Sequence, residues 1–129
     1  MPDLGTVSRY ALGGIRFVNG AIALAAPAVI QKRLGDPAAD HNAAAIYGLR
    51  LFGVRTVVIG ADLIRLRGEA LNHAVRSAPL IHASDTATVL MLHRNKQLPT
   101  RLARPLALIS GLNTVLALIA FLTHRRSAS

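Results

Sequence analysis

Four stretches of the chain are rich in apolar residues, and the polar residues inside them recur at helical rather than strand spacing. The clearest runs from Leu106 to Leu122, carries no charge, and is flanked by Arg104-Pro105 and His124-Arg125-Arg126. Its Leu, Ile, Val and Phe residues each favour insertion by about 0.3–0.6 kcal/mol, which outweighs the one Asn113, so a transmembrane helix is expected. A second stretch, 12–30, is long enough to cross about 30 Å of hydrocarbon at 1.5 Å per residue, and Lys32-Arg33-Leu34-Gly35-Asp36-Pro37 stops it. It holds Arg16 and Asn19, which argue against a cleaved signal peptide despite the Ala-rich residues 21–28.

The third stretch, 43–64, contains Arg50, Arg55 and Asp62. Each costs about 2.5–3.5 kcal/mol if centred and unpaired, whereas the apolar residues there recover only about 5 kcal/mol together. Alone it inserts poorly, so it needs a bundle that pairs its charges. The fourth, 74–92, is the least apolar, and Pro79 is expected to kink it or to begin its main helical part. Gly35-Asp36-Pro37, Gly68 and Leu98-Pro99 mark the turns between stretches.

At 100° per residue the small and polar positions of each stretch gather on one sector. In the first these are Gly13, Arg16, Asn19, Gly20, Ala23 and Pro27; in the last, Ala107, Ser110, Asn113, Thr114, Ala117 and His124. The third has two faces, one with Arg55 and Asp62 and a nearly opposite one with Gly53 and Gly60, so one face packs and the other holds charge. In the fourth, His82, Asp85, Thr86 and Val89 share a face, and Ser77, Ser84 and Thr88 form a separate hydroxyl stripe. Inward polar faces, with no Lys or Glu inside the stretches, predict an all-α, four-helix transmembrane bundle rather than a soluble one.

Composition sharpens that reading. Of the 129 residues, 52% are apolar but only 4% aromatic, and 15 Lys+Arg stand against 6 Asp+Glu. The length argues for one membrane domain, and the apolar content excludes intrinsic disorder. The absence of cysteine excludes disulfides, thiolate metal sites and thiol catalysis. Nucleic acid is not the expected partner, because the basic residues sit at span ends with no binding motif. The bilayer is, and the basic 94–104 connection is suited to anionic headgroups at about 1 kcal/mol per Lys or Arg. Charge at the two sets of span ends is nearly tied, so orientation stays open and antiparallel homo-oligomers are an alternative to one fixed orientation.

Ionisable residues within spans are costly and face partners or cavities, which makes Arg16, Arg50, Arg55, Asp62, His82 and Asp85 the candidate site, together with Asn19 and Asn113. Arg55 and Asp62 lie about 10.5 Å apart along one helix, so each is expected to find a partner on another helix. With Arg76 counted at a span end, Arg16, Arg50 and Arg55 outnumber Asp62 and Asp85, and the surplus guanidinium suits a lipid phosphate or a carboxylate. The alternative is an interhelical network, such as Arg55 with Asp85, that only fixes the bundle. His82 and Asp85 are spaced for a proton relay or half a metal site, with Asp62 the one further ligand available. No Gly-x-Ser-x-Gly elbow and no phosphate loop are present, so neither an enzyme nor a cofactor or metal is expected.

Arg16 with Gly20 and Ala25-Ala26-Pro27, the stretch Gly48-Leu-Arg-Leu-Phe-Gly-Val-Arg55, and Ile81-His-Ala-Ser-Asp85 resemble the small four-helix membrane proteins common in actinobacteria, and more distantly the DoxX-like families. The resemblance covers most of the chain. It implies an integral membrane location and a four-helix bundle and brings no catalytic residues with it; the expected location is the inner (plasma) membrane, crossed several times. The functional expectation is therefore a non-enzymatic membrane protein that binds or transports a small anionic or lipid-like ligand at an arginine-lined site. The alternative is a membrane-embedded accessory or structural subunit whose charged faces meet another protein.

Overall fold

The computed structural model describes residues 3–35 and 42–128, and these are predominantly helical, with five α-helices and no strand. They are α1 (Leu4–Ala25), α2 (Pro27–Arg33), α3 (Ala43–Arg65), α4 (Gly68–Arg94) and α5 (Thr100–Ala128). The Asp36-Pro37 part of the first turn signal lies outside the described residues.

Helix ends follow local chemistry. The Asp3 carboxylate accepts the Thr6 amide at 2.7 Å and caps α1, and the Asn42 side chain accepts the Ala45 amide at 3.2 Å and caps α3. After α4 the chain closes a Schellman turn: the Lys96 amide donates to the His93 carbonyl at 3.0 Å and the Gln97 amide to the Leu92 carbonyl at 2.9 Å. The position that turn requires in the left-handed region is filled by Lys96 at φ 59°, where glycine is usual.

The first apolar stretch is not one straight helix. Its expected span of 12–30 breaks at Ala26, and α1 and α2 meet at a bend of 99°. Pro27 has no N–H to continue the α1 ladder and its ring clashes with the preceding turn, so it starts α2 instead. Pro79, by contrast, lies inside α4. The helices also extend beyond the apolar windows, because backbone hydrogen bonding carries on through polar residues such as 100–105; the connections are 66–67 and 95–99.

Two helices, α3 and the Thr100–Arg126 part of α5, are long and apolar enough to cross a membrane, and α1 with α2 adds a third if that bent pair is one span. α4 is not among them. Only 17% and 22% of the apolar windows in α3 and α5 are buried within the protein. Their large apolar side chains face outward instead: Leu51, Val54 and Val58 on α3, and Leu108, Leu112, Val115 and Leu122 on α5 are exposed. The interior mixes small residues, Ala23, Ala78, Ala103, Ala117 and Ala120, with a few larger ones, Leu12, Leu63, Leu71 and Val75. A water-soluble core does the reverse, burying its bulk and exposing polar groups.

The chain divides into two compact units, residues 13–65 and residues 1–12 with 66–129. In the first, α1 and α3 run antiparallel and touch through glycine. A Cβ on Gly20 would lie 2.8 Å from the Gly53 carbonyl oxygen, and one on Gly60 would lie 2.6 Å from that of Gly13. Glycines seven apart on each helix thus meet in two reciprocal pairs. α2 lies against α3. In the second unit α4 and α5 form an antiparallel hairpin; Leu71, Val75, Ala78 and His82 are buried along α4 at alternating four- and three-residue steps. At the hairpin's open end Gly5 of α1 abuts Thr123 of α5.

Candidate functional site

In the 13–65 unit the site forms around one ring. Arg16 is 4% exposed, a rare position for a guanidinium, and its central carbon lies 5.7 Å from the centroid of Phe52. The guanidinium carbon of Arg55 lies 6.0 Å from the same centroid. Phe52 and Arg55 are one helical turn apart on α3, while the glycine contacts bring α1 close enough for Arg16 to reach that ring. Both cations fall at cation–π range, about 6 Å, and their separation is at most the two distances added. Asn19, one turn beyond Arg16, is half-buried; Arg50 is exposed on α3.

Asp62 departs from expectation. It does not turn to another helix for a partner: Arg65, three residues on, pairs with it at 3.6 Å. Arg65 stands one helical turn from Asp62, closer than Arg55 two turns away. With side chains 73% and 30% exposed, this is a solvent-screened pair of small energetic weight.

The second unit holds the other three candidates on the α4–α5 hairpin. His82 is fully buried, with Nδ1 at 4.0 Å from Asp85 Oδ2, beyond hydrogen-bond distance. Thr86 and Thr114 bridge the two helices through their hydroxyls at 3.3 Å. With one proton on each hydroxyl, two of three contacts are made at a time: this bridge, Thr86 to the His82 carbonyl at 3.0 Å, and Thr114 to the Ser110 carbonyl at 2.8 Å. Asn113 is 1% exposed, and its Oδ1 has no hydrogen-bond partner among the described residues; the same holds for Thr56 Oγ1 in the other unit. No group of three or more His, Asp or Glu side chains able to hold a metal occurs among the described residues.

Two features escaped the sequence reading. Phe52 was legible as the i−3 neighbour of Arg55, but its closeness to Arg16 depends on the α1–α3 register. A cleft of about 230 Å³ at the open end of the hairpin is lined by Asp3, Thr6, Arg9, Leu71, Val75 and His124, among others. His124 donates through Nε2 to the Asn72 side-chain carbonyl. The sole advance signal for this cleft was the placement of His124 on the polar face of the last stretch.

No family model, curated protein or solved structure matches the chain.

Proposed function

We propose that the chain is an integral protein of the inner (plasma) membrane, crossing it several times as a four-helix bundle, and that Arg16 and Arg55 around Phe52 hold the anionic group of a small lipid-like ligand. The large apolar side chains exposed on α3 and α5, with alanine and glycine inside, support the membrane setting, since small residues let helices approach where lipid offers no hydrophobic drive for association. α4 is the least apolar of the proposed spans and takes its place through its long contact with α5.

The site reading rests on one observation, the buried Arg16 guanidinium sharing the Phe52 ring with Arg55. Two cations near one ring raise the local positive potential, and a phosphate or carboxylate that reaches both gains charge-assisted, bidentate hydrogen bonds. Native mass spectrometry of the full chain, extracted gently from its own membranes, tests this. A bound small molecule is expected in the wild type and in Arg50→Leu, and is expected to be lost in Arg55→Leu, whose exposed side chain can be replaced without emptying the interior. An adduct unchanged in Arg55→Leu refutes the site. A co-purifying protein in place of the adduct assigns the chain to the accessory-subunit class.

A further inference from the structure

The cleft at the open end of the α4–α5 hairpin has a two-sided character that the arginine pair lacks. Its floor is apolar, made by Leu71, Val75 and Ala120, all buried. Among the described residues its remaining wall carries the Asp3 carboxylate, the Arg9 guanidinium, which also lies 4.4 Å from the Tyr10 ring centroid, and the His124 imidazole. The cleft sits where α5 changes character: the apolar run ends at Leu122, and Thr123 and His124 line the opening. If α5 crosses the membrane, as proposed above, this is headgroup level, with the floor continuing toward the hydrocarbon.

The charges select the ligand. A simple anion is attracted by Arg9 and repelled by Asp3, and a simple cation meets the reverse. A group carrying phosphate and ammonium a few bonds apart satisfies both. His124 adds to this: because Nε2–H is committed to the Asn72 carbonyl oxygen, the neutral ring retains Nδ1 as an acceptor. An ammonium with N–H bonds can use such acceptors, whereas a quaternary ammonium has none to give and prefers an aromatic cage. No Phe, Tyr or Trp is among the described residues that line the cleft. At about 230 Å³ the cleft has room for a compact headgroup.

We infer that this cleft binds a phosphoethanolamine group, with Arg9 on the phosphate, Asp3 and His124 on the ammonium, and the apolar floor under the adjoining chain of a phosphatidylethanolamine.

The test is native mass spectrometry of the full chain, purified in detergent, stripped of lipid and titrated with dioleoyl phosphatidylethanolamine, phosphatidylcholine and phosphatidylglycerol. The wild type is expected to retain phosphatidylethanolamine about tenfold better than either of the others, the factor that one charge-assisted hydrogen bond of about 1.4 kcal/mol provides. Asp3→Asn keeps the helix cap and removes the charge, so it should fold and lose the preference over phosphatidylcholine. Arg9→Gln should weaken all three phospholipids. Equal binding of phosphatidylethanolamine and phosphatidylcholine by the wild type, phosphatidylglycerol binding as tightly, or an undiminished preference in Asp3→Asn overturns the inference. Displacement by soluble O-phosphoethanolamine at equal concentration keeps the site but assigns it to the free compound; resistance to displacement assigns it to the lipid. Alkaline carbonate washing of the membranes separates this inference from the reading beneath it. A chain that washes off refutes the membrane setting, whereas a chain that stays but shows no headgroup preference refutes only the cleft.

Discussion

Adding one methyl group to Gly53 should separate α1 from α3. An alanine Cβ there would sit 2.6 Å from the Leu24 amide nitrogen and 2.8 Å from the Gly20 carbonyl oxygen, where ordinary contacts begin at 3.4 Å. Both obstacles are backbone, so no side-chain rotation relieves them, and the helices must part by roughly 0.8 Å along a contact that continues through Gly13 and Gly60. Overpacking of this kind costs about 1–3 kcal/mol, while exchanging a mid-helix glycine for alanine returns up to about 1 kcal/mol of propensity. The net expectation for Gly53→Ala is a loss of about 1–2 kcal/mol. Gly48→Ala is the control: it lies on the same helix, nothing stands within 4 Å of its Cβ, and it should be neutral or stabilising. The two variants are compared by the fraction of detergent-solubilised protein that stays monodisperse after graded heating. Gly20→Ala combined with Gly53→Ala should cost less than the two singles added, because helices once parted admit the second methyl more easily. If Gly53→Ala and Gly48→Ala shift the midpoint equally and in the same direction, the glycine contact is not what holds this unit together.

Three further expectations come from single side chains. Lys96→Gly relieves a left-handed residue costing about 1–2 kcal/mol, partly offset by the freer unfolded chain, so the same heating assay should show a gain of about 0.5–1 kcal/mol. Thr56→Val replaces a fully buried hydroxyl that lacks a partner among the described residues with a methyl of the same shape, and should stabilise by about 1 kcal/mol; a loss of that size would reveal a bonded hydroxyl. Asp62→Asn should change stability by less than about 0.5 kcal/mol and respond little to salt, given the exposed geometry of its pair with Arg65, and a loss above about 2 kcal/mol would show that Asp62 has a buried role instead.

The packing surfaces were legible because glycine is an unambiguous marker in an apolar helix. Gly13 and Gly20 stood on one sector of the first stretch, and Gly53 and Gly60 on a face of their own opposite Arg55 and Asp62. That these two faces meet each other was not legible, since many registers satisfy the same spacing. Pro27 was visible as a residue on the small face, but the 99° bend follows from the backbone ladder it interrupts, which a side-chain pattern does not report. Apolar windows understated the helices, because apolarity records the environment of a residue and not the extent of hydrogen bonding. The site was half legible: ionisable residues inside apolar stretches singled out Arg16, Arg55 and His82, while Phe52 and the Asp3–Arg9 cleft depend on close approaches between segments distant in the chain.

The paired glycines of α1 and α3 also act as a vernier. Sliding one helix past the other by a full heptad keeps a single glycine pair and sets the remaining two glycines against residues that bear side chains, as when Gly20 comes opposite Ile46. Only one alignment seats both pairs, so the pair of helices has a single locked setting and no neighbouring one of comparable closeness into which to slip. The register of α1 against α3 is thus carried by four residues with no side chain at all.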